Sequence, residues 1–191
     1  MTSAATGLDW PFTTERLALR PAVAADLVTM FGYRGQASVT QWMTSHPADL
    51  AEFEAQIAPK LDSTVVIERD GVLVGDLYVA IGDAWSQAEV KERAVGVQAE
   101  IGWCLDPAHT GHGYATEAVR ELLRIAFEEL GLHRVFAQCF AANEASWRLM
   151  ERLGMRREQH TKKESLHRSG EWMDGMMYAL LAEEWRAGAG A

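Results

Sequence analysis

Basic residues are scarce: 18 Lys and Arg stand against 27 Asp and Glu over 191 residues, a formal charge of −9. A nucleic-acid binder needs a basic footprint to neutralise phosphates, so no nucleic-acid partner is expected. Backbone amides can still hold the phosphates of a cofactor without net positive charge. The acidic balance mildly favours cationic partners such as amines. Cysteine is equally sparse. Cys104 and Cys139 are too few for a disulfide scaffold, and both lie in apolar, strand-like runs that read as buried free thiols. No apolar run is long enough to span a bilayer, so no membrane partner is expected. Met1 to Leu8 lacks a basic region followed by an apolar stretch, hence no secretory signal is expected and the cytoplasm is the default compartment. Repeats, linkers and low-complexity segments are missing too, and 48% hydrophobic residues are ordinary for a globular chain. Residues 1–191 therefore read as one domain, with 1–12 as a loose arm.

What is present alternates between two periods. Arg16 to Arg20 alternates as a strand and stops at Pro21, which cannot donate to a ladder. Asp26 opens a helical pattern as N-cap or first-turn acid, and a second helix runs from about Pro47 to Leu61 with Leu50, Phe53 and Ile57 on one face. Ser63–Glu68 and Val72–Ile81 read as strands joined by Asp70-Gly71, a strong hairpin signal. Gly82–Val97 reads as a long loop. A strand over Gln98–Leu105 leads through Gly111 and Gly113 into a helix over Tyr114–Leu130, striped by Ala115, Ala118, Val119, Leu122, Ala126 and Leu130. A strand over Arg134–Phe140, a helix over Glu144–Leu153 and two strands around a polar loop, Glu164–Asp174, complete the chain. The order β-α-α-β-β-β-α-β-α-β-β describes an α/β mixed sheet with helices on its faces.

The strand–turn–helix at 100–118 is the segment with chemistry in it. Glycines let a backbone approach a ligand closely, and first-turn N–H groups have no intrahelical partners, so an anion can be bound by amides and the helix dipole. A Walker A loop would need Gly-Lys-Ser/Thr, which does not occur. A dinucleotide fingerprint would need a third glycine where Thr116 stands and an acid ending the strand Val135–Phe140, and both are missing. A pyrophosphate site outside those families remains.

Thr110-Gly111-His112-Gly113-Tyr114-Ala115 resembles the acyl-CoA pyrophosphate loop of the GNAT superfamily, Q/R-x-x-G-x-G/A. Gly113 to Ala118 is similar to the RimJ/RimL-like branch that acetylates ribosomal-protein N-termini. So are Thr14-Glu15-Arg16-Leu17, Leu19-Arg20-Pro21, Asn143 to Ser146, Leu153-Gly154-Met155, Gly170 to Asp174 and Tyr178 to Trp185. The resemblance spans residues 14–185, and Thr110 departs from the usual Gln or Arg. It implies a GNAT fold: a mixed, mostly antiparallel sheet of about seven strands, splayed between 98–105 and 134–140. It implies acetyl-CoA, or another acyl-CoA, as co-substrate. Amides of Gly111, His112, Gly113, Tyr114 and Ala115 would hold the pyrophosphate, the pantetheine would lie along Trp103-Cys104-Leu105, and Asn143 would hydrogen-bond the pantetheine arm.

The resemblance also implies roles for single residues. Glu100, on the strand face shared with Gly102 and Cys104, stands where an acid often deprotonates the amine, and burial would tune its pKa toward that task. The usual pattern N-x-x-A-x-x-x-Y-x-x-x-G supplies a tyrosine to protonate the leaving thiolate. Here it runs Asn143, Ser146, Met150, Gly154, so the methionine cannot donate and Ser146 takes the acid's place. Trp42 and Met43 would line the acceptor wall opposite the polar tail loop with His167, Arg168, Glu171, Trp172 and Asp174. His109 and His112 are three apart with no third ligand, and no metal is expected. The implied activity is N-acylation of a primary amine by direct attack in a ternary complex. A small amine or a protein N-terminus would be the acceptor, acetyl the default acyl group, and a homodimer is left open. Succinyl transfer and a non-catalytic acyl-CoA-sensing module are the competing readings.

Overall fold

The computed structural model describes residues 7–188, so half of the expected loose arm, residues 1–6, lies outside the described residues. The elements are β1 (Phe12–Thr13), β2 (Ala18–Pro21), α1 (Leu27–Arg34), α2 (Ala37–Thr40), α3 (Leu50–Ile57), β3 (Thr64–Arg69), β4 (Val72–Gly82) and β5 (Gln98–Leu105). Then follow α4 (Tyr114–Arg124), β6 (Arg134–Phe140), α5 (Glu144–Arg152), β7 (Arg156–Leu166), β8 (Trp172–Leu181) and α6 (Ala182–Gly188). The strands form one sheet in the order β1-β2-β3-β4-β5-β6-β8-β7. β5 and β6 run parallel, pairing Gln98 with Arg134 and Glu100 with Phe136, while β1–β2, β2–β3, β3–β4, β6–β8 and β7–β8 are antiparallel. The sheet is mixed and mostly antiparallel, as expected, with eight strands in place of about seven. The extra strand is β1: Phe12 pairs with Leu19 inside the stretch read as a loose arm, and two residues are too few to leave an alternating pattern.

The chain divides into two compact units. One comprises Met1–Ile81 and Gly102–Leu122. Its hairpin turns on Asp70 and Gly71, at φ 52° and 77°, the left-handed pair that a two-residue turn demands. Ala22, Leu27, Met30, Tyr33, Phe53, Val66 and Cys104 form a continuous core. Full burial of Phe53 alone is worth about 1.5–3 kcal/mol relative to exposure. Asp49 caps α3 by accepting from the Glu52 amide at 2.9 Å. Asp26 stands at the N-cap position of α1 without a side-chain capping bond there, and is the first-turn acid of a preceding 3-10 turn, Ala24–Asp26. Its carboxylate accepts the Val23 amide at 2.8 Å and both terminal nitrogens of Arg20. Asp76, fully buried on β4, is neutralised by Arg34 and accepts the Tyr33 hydroxyl at 2.5 Å, which ties α1 to the sheet.

The other unit comprises Gly82–Ile101 and Leu123–Ala191. The loop after β4 holds a 3-10 segment, Ala88–Ala94, and is closed by Asp83 accepting the Gly96 amide at 2.9 Å. The helix predicted over 114–130 is α-helical to Arg124 and then makes a π turn, Ile125–Glu129, in which the Leu130 amide reaches the Ile125 carbonyl at 3.0 Å. One residue is thereby inserted, so Ile125 and Phe127 are buried while Leu130 of the predicted stripe is only half-buried. The polar tail loop is shorter than predicted. β7 and β8 pair up to Leu166 and Trp172, a cross-strand apolar pair that holds the hairpin nearly to its tip.

Candidate active site

β5 ends at Leu105, and the next residues are fixed by their own side chains. Asp106 accepts the Ala108 amide at 2.9 Å and caps a 3-10 turn, Pro107–His109. The Thr110 hydroxyl donates to the Pro107 carbonyl at 2.9 Å. Gly111 and Gly113 then both take φ 82°, a backbone only glycine adopts without strain, and α4 starts at Tyr114. Gly111, His112 and Gly113 are exposed, Ala115 is half-buried and Tyr114 is buried. The result is an open strand–turn–helix whose amides belong to a helix N-terminus, the geometry that suits a pyrophosphate. Upstream, Trp103 and Leu105 are half-buried and Cys104 is buried, its thiol pushed up to about 12 by burial and then by Asp76. A methyl group on Gly75 would lie 2.5 Å from the Cys104 carbonyl oxygen, so the glycine lets β4 run hard against the stretch expected to carry the pantetheine.

The chemistry-bearing side chains of the other unit sit on β5, β6 and α5. Glu100 is half-buried, and burial raises its carboxyl above the ordinary value. Asn143 is the N-cap of α5: its side-chain oxygen accepts the Ser146 amide at 3.4 Å. Ser146 is half-buried in the first turn, and its hydroxyl lowers the pKa of the Cys139 thiol on β6. Cys139 is half-buried, not buried as its apolar run suggested, because it lies near the end of β6. Burial pushes its thiol up to about 11, partly offset by Ser146, so it stays protonated at neutral pH. Met150, at the position of the usual tyrosine, is fully buried. Tyr178 on β8 donates to Glu151 at 2.9 Å.

The sequence matches the Acetyltransferase (GNAT) domain family over residues 16–156. The chain belongs to that family. A relative, the uncharacterized N-acetyltransferase YnaD of Bacillus subtilis strain 168, is 31% identical over 173 residues, covering 91% of this chain and 98% of the relative. The ribosomal protein uS5 alanine N-acetyltransferase of Escherichia coli K12 is 28% identical over 88 residues, covering 46% of this chain and 45% of that protein. The crystal structure of a GNAT-family acetyltransferase from Bacillus anthracis superposes with a TM-score of 0.77 at 29% identity, over 92% of this chain and all of that one. The protein is thus an acyl-CoA-dependent N-acetyltransferase with the RimJ/RimL-like pattern among its relatives.

In this GNAT enzyme the acceptor-side candidates lie on different elements. Trp42 and Met43 follow α2, both half-buried, with Met43 packed on the core that holds Phe53. Trp172 opens β8 and is 57% exposed opposite Leu166. Asp174 is taken up by the hairpin: it accepts the Lys163 amide at 3.0 Å and Lys162 Nζ at 2.7 Å, which steadies a bulge where Lys163 has φ 47°. His167 packs edge-on against Phe140. Sequence reasoning quoted Thr14, Arg16 and Glu117 as parts of the resemblance without giving them work. They meet in one cluster: Glu117 accepts the Thr14 hydroxyl at 2.5 Å, the Arg16 amide at 3.0 Å and Arg16 Nε at 2.7 Å. Their recurrence in two short motifs is a signal; the pairing of those motifs is not written in either one.

Proposed function

We propose that residues 1–191 act as one acetyltransferase domain that moves an acetyl group from acetyl-CoA to a primary amine within a ternary complex. The observation that carries this reading is the pair of left-handed glycines before α4 in a chain of the GNAT family. The amides of Gly111 to Ala115 bind the pyrophosphate, the edge at Trp103–Leu105 guides the pantetheine, and the donors of the Asn143 side-chain amide remain for its arm. Acetyl-CoA supplies the acyl group activated as a thioester. Glu100 takes the proton from the attacking amine. Its raised pKa supports that role, since a base works best when its pKa approaches the operating pH. The new N–C bond forms as the C–S bond breaks, and Ser146 gives its proton to the departing thiolate. The dipole at the start of α5 favours that developing anion.

Trp42, Met43 and Trp172 shape the acceptor site, and the acceptor is a small amine or a protein N-terminal amine. The relative named as a ribosomal protein uS5 alanine N-acetyltransferase supports the second possibility. The test is a screen of amines and N-terminal peptides with acetyl-CoA and succinyl-CoA, read by thiol release. Turnover with acetyl-CoA and one class of amine bears the reading out, whereas release only with succinyl-CoA overturns the choice of acyl group. Thiol release with no amine tested would overturn the choice of acceptor class.

A further inference from the structure

The cluster around Glu117 touches the loop as well as the helix. Arg16 Nη1 donates to the His112 carbonyl at 3.0 Å, while Nε donates to Glu117 at 2.7 Å and Nη2 pairs with it at 2.5 Å. The guanidinium also lies over the Tyr114 ring at 4.9 Å, and its Nη2 is 3.6 Å from where a Cβ on Gly113 would stand. His112 sits between two glycines at φ 82°. Glycine adopts either sign of φ at little cost, so the His112–Gly113 peptide has weak local reasons to keep one orientation. In a trans peptide the carbonyl and the following N–H point in opposite directions. A carbonyl drawn toward Arg16 therefore turns the Gly113 amide to the opposite side of the loop. The motif position that usually carries Gln or Arg holds Thr110, whose hydroxyl is used within its own turn.

We propose that Arg16 is a positioning residue for acyl-CoA: anchored on Glu117, it locks the His112–Gly113 peptide so that the Gly113 amide faces the pyrophosphate. This rests on the reading of Gly111 to Ala115 as the pyrophosphate loop. The anchor has a second consequence. Glu117 places a negative charge in the first turn of α4, beside an anion site, and Arg16 neutralises it. Removing Arg16 thus frees the peptide and unmasks the carboxylate together, and both weaken binding of an anion.

The test measures coenzyme A affinity by calorimetry and steady-state kinetics with acetyl-CoA for the wild type, Arg16→Met, and Arg16→Met with Glu117→Gln. Arg16→Met is expected to raise the KM for acetyl-CoA and the Kd for coenzyme A about tenfold, the scale of a lost charge-assisted contact, with kcat and the amine KM changed less than about twofold. The double variant should recover about threefold of that loss, because the unmasked charge is gone while the peptide stays free. A residue that only supported the fold would lower kcat and melting temperature and show no recovery. If Arg16→Met does not accumulate as folded protein, Arg16→Lys carries the test: it keeps the charge but not the planar fork, and about threefold weaker binding is expected. Wild-type affinity in a folded Arg16→Met or Arg16→Lys protein overturns the proposal. A wild type that does not bind coenzyme A overturns the pyrophosphate reading itself.

Discussion

Glu117 and Glu100 lie on the same strand–turn–helix segment and are treated in opposite ways. Burial would raise the Glu117 carboxyl, but the Thr14 hydroxyl and Arg16 outweigh it and hold the group below the ordinary value. Glu100 is raised by burial. One carboxylate is fastened by four donors of Thr14 and Arg16, whereas burial disfavours the ionised form of the other. The contrast is the one the proposed roles require. A charge proposed to keep a loop in shape has many partners, whereas a charge proposed to accept a proton sits where its ionised form is disfavoured. On α5, Asn143 uses its oxygen to cap the helix, and the neighbouring Ser146 hydroxyl lowers the pKa of the Cys139 thiol.

The largest test of this division is Glu100→Gln. The variant should lose about 10³-fold in kcat, within the range for a positioned base, and the acidic limb of its pH–rate profile should vanish. Coenzyme A affinity should stay within about twofold, since the loop proposed to bind it is elsewhere on the segment. An intact acidic limb would return Glu100 to an ordinary half-buried strand residue. Ser146→Ala comes next, with kcat expected about 10²-fold lower and the same unchanged affinity. If stopped-flow thiol release in that variant runs within about twofold of wild type, the thiolate leaves without this hydroxyl. Tyr178 would not simply inherit the role, because its own hydroxyl is committed to Glu151.

Gly113→Val probes the scaffold side. A β-branched residue at φ 82° carries a strain of about 1–2 kcal/mol, so the free loop relaxes and binding must restore the strained form. Coenzyme A affinity should fall about tenfold or more, by isothermal calorimetry, while the circular dichroism of the folded protein is unchanged. Unaltered affinity would mean that the phosphates are not read by this loop.

Much of this was legible in the sequence where the cause is local. β5 and β6 run over the predicted residues, 98–105 and 134–140, because alternation and the flanking Asp-Pro and Gly signals are properties of a few neighbours. The Asp70-Gly71 turn is legible for the same reason. The Arg16–Glu117 pair, 101 positions apart, and the buried Arg34–Asp76 pair are not, since no short-range pattern says which charges of a surface-rich chain will meet. The π turn at Ile125–Glu129 was hidden because a one-residue insertion leaves the composition of an apolar stripe intact. Among the candidate site residues, the glycines, Glu100 and Ser146 are named by motif. The contact of Arg16 with the His112 carbonyl is not, because it runs across the fold.

The smallest expected effect is also the most direct measure of the contrast, since it reads both glutamates in one experiment. Glu117 is lowered in the folded state, so its contribution to stability is present above the ordinary glutamate pKa, about 4.3, and is lost as pH falls through its lowered value. Glu100 is raised, so its contribution is present below the ordinary value and is lost as pH rises through the raised one. Glutamine resembles the protonated form and removes each dependence. Urea unfolding of Glu117→Gln should therefore show a deficit that grows from pH 4 to pH 7, whereas Glu100→Gln should gain on wild type over the same interval. The Glu117 term is partly screened by solvent and should stay below about 1 kcal/mol at pH 7, the ceiling for exposed ion pairs. The signs matter more than the sizes. Two deficits of the same sign would make Glu100 a second structural carboxylate, and the division between a fastened loop and a poised base would fail on thermodynamic grounds before any rate was measured.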